Sequence, residues 1–159
     1  MTRPEPRREV EWRPGDVPLP AAWLGGLGLL PFVAGTILIA LGHEWASEAL
    51  RFYGATILSF LGGVHWGLAI ADYGSARTEG TSWLRLGTSV VPALVAWAAL
   101  LLDPLRGLGL LALAFALLLR LDQYATRVEF APAWYPTLRI PLTVVVLICL
   151  VVSAVLSAW

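Results

Sequence analysis

Long apolar blocks divide this sequence, and most of them have the length that an α-helix needs to cross a bilayer. A spanning helix requires about 20 apolar residues for a hydrocarbon core of about 30 Å. Of the 159 residues, 58% are hydrophobic and only 14% are charged, whereas a soluble domain carries about 25% charged residues. The blocks are continuous, without the alternation that would bury one face. The sequence therefore predicts an all-α integral membrane protein.

The blocks predict a polytopic bundle of five transmembrane helices. The predicted helices cover about residues 21–41, 52–71, 84–102, 105–121 and 140–159. Only Asp103 and Pro104 separate the third helix from the fourth, which predicts a tight antiparallel hairpin. Residues 1–19 are rich in proline and arginine, so we expect an extended or disordered tail there. Residues 20–159 are then expected to form one transmembrane bundle.

The distribution of arginine predicts how the bundle is oriented. With five spans, one side of the membrane receives these arginines: Arg3, Arg7, Arg8, Arg13, Arg77, Arg85, Arg120, Arg127 and Arg139. The other side receives Arg51 and Arg106. Since basic loops stay on the cytoplasmic side, we expect a cytoplasmic amino terminus and an outer carboxyl terminus. The predicted location is the bacterial inner (cytoplasmic) membrane, which the chain crosses several times.

Small residues follow one side of the second predicted helix at intervals of four. They are Ala55, Ser59, Gly63 and Gly67. Small side chains at this spacing allow another helix backbone to approach closely. We therefore predict that this stripe packs against a neighbouring helix and that the second helix lies at the centre of the bundle. The face expected to contact lipid holds Tyr53, Ile57, Phe60, Val64 and Leu68.

A second stripe on the same helix is partly polar. At 100° per residue, His65 and Asp72 share a side with Gly54, Leu58 and Leu61. An ionisable residue within a span marks either a path for protons or cations, or a polar contact between helices. Both interpretations of His65 and Asp72 stay open at this point.

Charged residues also collect near the predicted cytoplasmic rim. Arg85, Asp122 and Arg139 are expected to form ion pairs between helix ends there. The alternative is a pocket for an anionic headgroup or a quinone-like ring, close to the aromatic pair Trp134 and Tyr135. Neither interpretation requires a catalytic residue.

The motifs that usually mark chemistry do not occur in this sequence. It contains no CxxC, HExxH or GxSxG motif and no phosphate-binding glycine loop. His43, Glu44 and Glu48 cluster in one connection, where a solvated loop is the preferred interpretation over a metal site. We expect no catalytic residue, no metal and no cofactor, and thus a protein that is not an enzyme.

Three runs of the sequence resemble a known family. They are YGATILSFLGGVHWGLA at 53–69, SVVPALVAW at 89–97 and WYPTLRIPLT at 134–143. The chain resembles the bacterial and mitochondrial membrane family of unknown function that includes mitochondrial transmembrane protein sixty-nine. The resemblance extends from about residue 20 to residue 157, and its most specific part is FLGGVHWG at 60–67. It implies a small helical protein of the inner membrane and supplies no activity.

Three functions are compatible with these observations. The preferred one is an accessory or assembly subunit of a larger membrane complex. The second is a small transporter or channel that moves protons or ions along the polar stripe. The third is a protein that binds a lipid or a quinone. The expected partners are the lipid bilayer and other membrane proteins or further copies of the chain, whereas a formal net charge of zero gives no indication of nucleic acid.

Overall fold

A computed structural model describes residues 16–71 and 82–157, and within these ranges the regular structure is entirely helical. The helices are α1 (Leu19–Leu27), α2 (Leu30–Ala40), α3 (Trp45–Ala71), α4 (Ser82–Leu100), α5 (Pro104–Arg127) and α6 (Tyr135–Leu156). Helices α1 and α2 together form one apolar span, so the described residues contain five helical segments long and apolar enough to cross a membrane. The predicted five-span, all-α bundle is confirmed. Of the predicted tail, residues 1–15 lie outside the described residues.

The first span is not the single helix that was predicted for 21–41. It breaks between α1 and α2, beside Pro31, which lies in the first turn of α2. Proline has no N–H, so it cannot donate the hydrogen bond that would continue α1 into α2. The hydroxyl of Tyr53 on α3 donates to the carbonyl of Gly28 at the break, at 2.9 Å. The carbonyl of Gly28 at the break is therefore hydrogen-bonded by a side chain of α3.

Three helices extend beyond their predicted ends. Helix α3 begins at Trp45, about two turns before residue 52. Helix α5 continues past residue 121 to Arg127, and α6 begins at Tyr135, before residue 140. A span predicted from hydropathy ends at the first charged residues, whereas the helix itself can continue while one of its faces remains buried. The consequence is that Asp122 lies within α5 and not in the connection where the sequence placed it.

Helices α3 and α5 form the centre of the bundle. Helix α3 packs against α2, α4 and α5, and α5 packs against α3, α4 and α6. The buried core between them includes Phe32, Leu50, Leu58, Leu108, Leu111, Phe115 and Leu150. The predicted central place of the second span is therefore confirmed, although α5 shares it.

The predicted small-residue stripe is only partly an interface of this chain. Ala55 is buried, and the hydroxyl of half-buried Ser59 donates to its carbonyl within α3, at 2.8 Å. Gly63 and Gly67 are exposed, and a Cβ atom built at either meets no described neighbour within 4 Å. The prediction that these two glycines pack within the bundle is therefore wrong. Residues four apart drift about 40° around a helix at each step, so the stripe turns away from its neighbour.

Gly62 takes the role that was predicted for Gly63. It is buried, and a Cβ atom there would lie 2.7 Å from the carbonyl oxygen of Ser89 on α4. The same Cβ would lie 3.2 Å from the Cβ of Pro92. Helices α3 and α4 therefore approach each other closely where α4 contains its proline.

The predicted lipid face of α3 also changes. Tyr53 and Ile57 are half-buried, and the ring of Tyr53 packs edge-on against Phe32 with centroids 5.1 Å apart. Phe60 is 66% exposed, as a lipid-facing side chain would be. Val64 and Leu68 are half-buried as well. Of the five residues predicted to contact lipid, only Phe60 is exposed.

Arg51 is not a loop arginine but a buried part of α3. Its guanidinium Nη2 donates to the carbonyls of Ala99, Leu100 and Leu102, at 3.1, 2.9 and 2.6 Å. These carbonyls lie at the carboxyl end of α4, where a helix leaves acceptors unpaired and favours a positive charge. Arg51 therefore links α3 to the carboxyl end of α4, at the end of the bundle that carries few arginines.

Candidate functional site

A buried polar cluster joins three helices near the opposite end of the bundle. Asp122 of α5 is 1% exposed, and each of its carboxylate oxygens has a separate partner. Its Oδ1 lies 2.8 Å from Nε2 of His65 on α3, and its Oδ2 accepts a hydrogen bond from Nε of Arg139 on α6, at 2.7 Å. We call His65, Asp122 and Arg139 the polar cluster.

Helical periodicity explains why these three side chains meet. His65 follows Leu58 and Leu61 on the inward side of α3. Asp122 lies between Leu118 and Ala125 on the buried side of α5. A carboxylate in such a place requires a charged partner and hydrogen bonds, since desolvation alone strongly disfavours it.

The polar cluster corresponds to part of the predicted site. The ion pair between Asp122 and Arg139 forms, and it lies inside the bundle and not at a solvated rim. Arg85 packs over the ring of Phe130, 3.2 Å from its centroid, which is a cation–π contact. The predicted contact between Asp122 and Arg139 is therefore present.

His65 makes the contact between helices that the sequence left as one of two alternatives. Its hydrogen bond to Asp122 joins α3 to α5. Asp72, with which the sequence paired it, lies outside the described residues. The predicted path for protons or cations along His65 and Asp72 therefore stays a prediction.

A cavity of about 380 Å³ lies on the Arg139 side of the polar cluster. Helices α1, α2, α3 and α6 form most of its wall, and we call it the α1/α6 cavity. Most of its lining is apolar, including Phe32, Phe60, Val64, Phe115, Trp134 and Leu142. Arg139 and Thr143 also line it, and they lie one helical turn apart on α6. The break between α1 and α2 borders the same cavity through Gly28 and Leu29.

Two buried polar atoms on this wall lack a hydrogen-bond partner among the described residues. They are Nη2 of Arg139, whose side chain is 8% exposed, and Oγ1 of Thr143, a residue that is 1% exposed. Further along α6 the buried hydroxyl of Ser153 lies 3.0 Å from Oγ1 of Thr36, within hydrogen-bond distance. An unpaired buried polar group is destabilising by roughly 1–3 kcal/mol. The two residues that border the cavity therefore carry hydrogen-bonding atoms that no described residue uses.

A second cavity, of about 400 Å³, lies on the His65 side of the polar cluster. Residues of α3, α4 and α5 line it together with Phe130, and we call it the α4/α5 cavity. Its polar lining comes from His65, Arg85, Thr88 and Tyr124. The polar cluster thus lies between two cavities, with His65 bordering one and Arg139 the other.

The arrangement is suited to binding more than to bond chemistry. The described residues contain no group of three or more His, Cys, Asp or Glu side chains that could hold a metal ion. Arg139 offers a fixed N–H donor, because its Nε is held by Asp122. Thr143 offers a hydroxyl that donates or accepts. A molecule with an apolar body and a polar acceptor group would satisfy both.

Thr143 was missed by reasoning from the sequence. The signal was present, since a threonine four residues after an arginine lies on the same face of a helix. The pairing of His65 with Asp122 gave no such signal. The two residues are far apart in the sequence, and periodicity within one helix does not identify a partner on another.

Known proteins resemble this chain over nearly its whole length. The family model described as "Protein of unknown function (DUF3429)" matches residues 17–155. Transmembrane protein 69 of Xenopus tropicalis is 41% identical over 155 residues, covering 90% of this chain and 56% of that protein. Transmembrane protein 69 of Mus musculus is 31% identical over 146 residues, covering 89% and 58%. The chain thus spans somewhat more than half the length of these relatives. No solved structure matches it.

Proposed function

Since the chain belongs to the DUF3429 family and is a multi-pass membrane protein, we propose that it binds a lipophilic small molecule in the α1/α6 cavity. The single observation that carries this proposal is the pair of unpartnered, buried polar atoms on Arg139 and Thr143, two residues that line a mostly apolar cavity. Small-molecule sites are typically cavities of about 300–1,000 Å³ that combine an apolar wall with a few polar groups that orient the ligand. The proposed role is binding without catalysis.

The proposed location is the bacterial cytoplasmic membrane, with the polar cluster at the cytoplasmic end. The support is the arginine bias, since Arg85, Arg120, Arg127 and Arg139 all lie toward this end of the helices. A ligand that partitions into the bilayer would reach the α1/α6 cavity from the lipid, past exposed residues such as Phe60.

The test is to identify molecules that co-purify with the protein. Extraction of the full chain, purified in mild detergent, should release a lipophilic compound in nearly stoichiometric amount. Val64→Phe places a larger side chain in the cavity wall and should lower this amount several-fold. Val33→Phe makes the same change on an exposed part of α2 and should not. A protein without any enriched compound, or equal amounts from both variants, would refute the proposal.

A second candidate function is that of an accessory or assembly subunit whose partner is a helix of another membrane protein. The observation that favours it is the exposed Gly63 and Gly67 side of α3, which meets no described neighbour. Small residues on a lipid-facing helix are those that allow a further helix to approach. Gly63→Leu with Gly67→Leu should then release a stoichiometric partner during mild-detergent purification. Recovery of the unaltered chain as a clean monomer at native expression would refute this role, and recovery as a homodimer would identify a second copy as the partner.

A further inference from the structure

The ligand of the α1/α6 cavity can be specified further from the charges around it. We propose that its polar group is an uncharged carbonyl-type acceptor, as on a quinone ring, and not an anionic headgroup. This inference rests on the proposed function, because it concerns the same cavity. It assigns the chemical class of the molecule that would bind there.

The protein side of the contact supplies donors. Nη2 of Arg139 can only donate, and the hydroxyl of Thr143 has a proton available as well. Both residues lie on one face of α6, about 6 Å apart along its axis at 1.5 Å per residue. Because Nε of Arg139 is already bonded to Asp122, the direction in which the guanidinium presents its other N–H groups is fixed. The ligand must therefore present oxygen or nitrogen acceptors to this wall.

The charge of the wall decides between a neutral acceptor and an anion. Arg139 is the one charged residue among the described residues that line the α1/α6 cavity. Asp122 lies 2.7 Å from it and is 1% exposed, so water does not screen the pair. The ion pair of Arg139 and Asp122 therefore has no net charge. A phosphate group would then be buried without a counter-charge, which is strongly unfavourable in a low-dielectric site.

The aromatic lining of the cavity favours a ligand with a flat ring. Aromatic side chains from several helices border it, among them Phe32, Phe60, Phe115, Trp134 and Tyr135. Trp134 and Tyr135 stand edge to face with centroids 6.0 Å apart. Aromatic walls favour a planar, polarisable partner through stacking and edge contacts. A ring carbonyl bonded to Arg139 and Thr143 would leave the alkyl tail of the molecule to the lipid.

The experiment compares two added compounds, a decyl-substituted benzoquinone and phosphatidylglycerol, on the full chain in mild detergent. The readouts are displacement of the co-purified compound and the change in thermal stability. We expect the quinone to displace and stabilise, and phosphatidylglycerol to do neither. Thr143→Val should weaken quinone binding about fivefold, which corresponds to one ordinary hydrogen bond. Thr56→Val, which removes an exposed hydroxyl bonded within α3, is the matched control and should not change binding.

A variant at His65 tests the charge argument directly. His65→Gln keeps an N–H for Asp122 but cannot become positively charged. Unchanged quinone binding in this variant is expected. Preferential binding of phosphatidylglycerol that disappears with His65→Gln would overturn the inference, while the proposed binding function would stand. Failure of both compounds to bind when a compound does co-purify would also overturn it. If nothing co-purifies and neither compound binds, the proposed function falls as well.

Discussion

Replacing Thr143 by valine should raise the stability of the ligand-free protein and at the same time weaken ligand binding. Valine has nearly the same shape and is also β-branched, so the helix backbone and the packing are preserved. The hydroxyl that it removes belongs to a residue that is 1% exposed and has no partner among the described residues. Burial of an unpaired hydroxyl is destabilising by about 1–3 kcal/mol in proteins. We expect Thr143→Val to stabilise the ligand-free chain by about 1–2 kcal/mol.

Thermal unfolding in detergent, after the bound compound has been washed out, measures this gain. For a chain of this size, 1 kcal/mol corresponds to about 2–4 °C, so a gain of about 1–2 kcal/mol should raise the midpoint by about 2–8 °C. With ligand at saturation, the difference in stability should shrink to about 0–1 kcal/mol, because fivefold weaker binding corresponds to about 1 kcal/mol of lost stabilisation. Thr56→Val should change the stability by no more than about 0.5 kcal/mol with or without ligand, since that hydroxyl is exposed. A lower midpoint for ligand-free Thr143→Val would refute the reasoning, because it would mean that the fold itself uses the hydroxyl.

Three further variants test the packing around the site. Asp122→Asn leaves a buried guanidinium without its carboxylate and should lower the free energy of unfolding by about 3–5 kcal/mol in chemical denaturation; a loss below 1 kcal/mol would contradict the burial of the pair. Gly62→Leu should destabilise the protein by about 3 kcal/mol or prevent folding, because the new Cβ would meet a backbone carbonyl of α4. The control Gly63→Leu should leave the yield of folded protein unchanged, because a Cβ there meets no described neighbour. If Gly62→Leu and Gly63→Leu fold equally well, Gly62 does not make the close contact with α4 that is described above. Arg51→Gln should lower the free energy of unfolding by about 2–4 kcal/mol, because it removes hydrogen bonds to the carbonyls at the end of α4. Arg106→Gln, at an exposed ion pair, should change it by less than about 0.5 kcal/mol. Similar losses in both variants would argue against a stabilising contact between Arg51 and α4.

The spans were predictable because their signal is local. The length and apolarity of each block are enough to identify a helix that crosses a bilayer, and they gave the correct number of spans. The ends were less predictable. Asp122 was placed outside a helix because charge usually ends a span, and its burial depends on His65 and Arg139, which belong to other helices.

The faces of α3 show the limit of periodicity more clearly. Gly54, Leu58 and Leu61, which share a side of α3 with His65, are buried in the bundle, as apolar residues at helical spacing usually are. The small-residue stripe was assigned to the same bundle, although Gly63 and Gly67 turn out to face away. Small residues permit a close approach without specifying which helix makes it. The neighbour of a face is set by the whole bundle, so one helix cannot predict it.

The central claim is that the α1/α6 cavity holds one lipophilic molecule by means of Arg139 and Thr143. Native mass spectrometry of the full chain released from mild detergent tests this most directly. The unaltered protein and Thr56→Val should each carry one additional mass per chain, and Thr143→Val should carry it in a clearly smaller fraction of molecules. A bare chain in the unaltered protein would contradict the claim, as would an adduct that is equally abundant in all three.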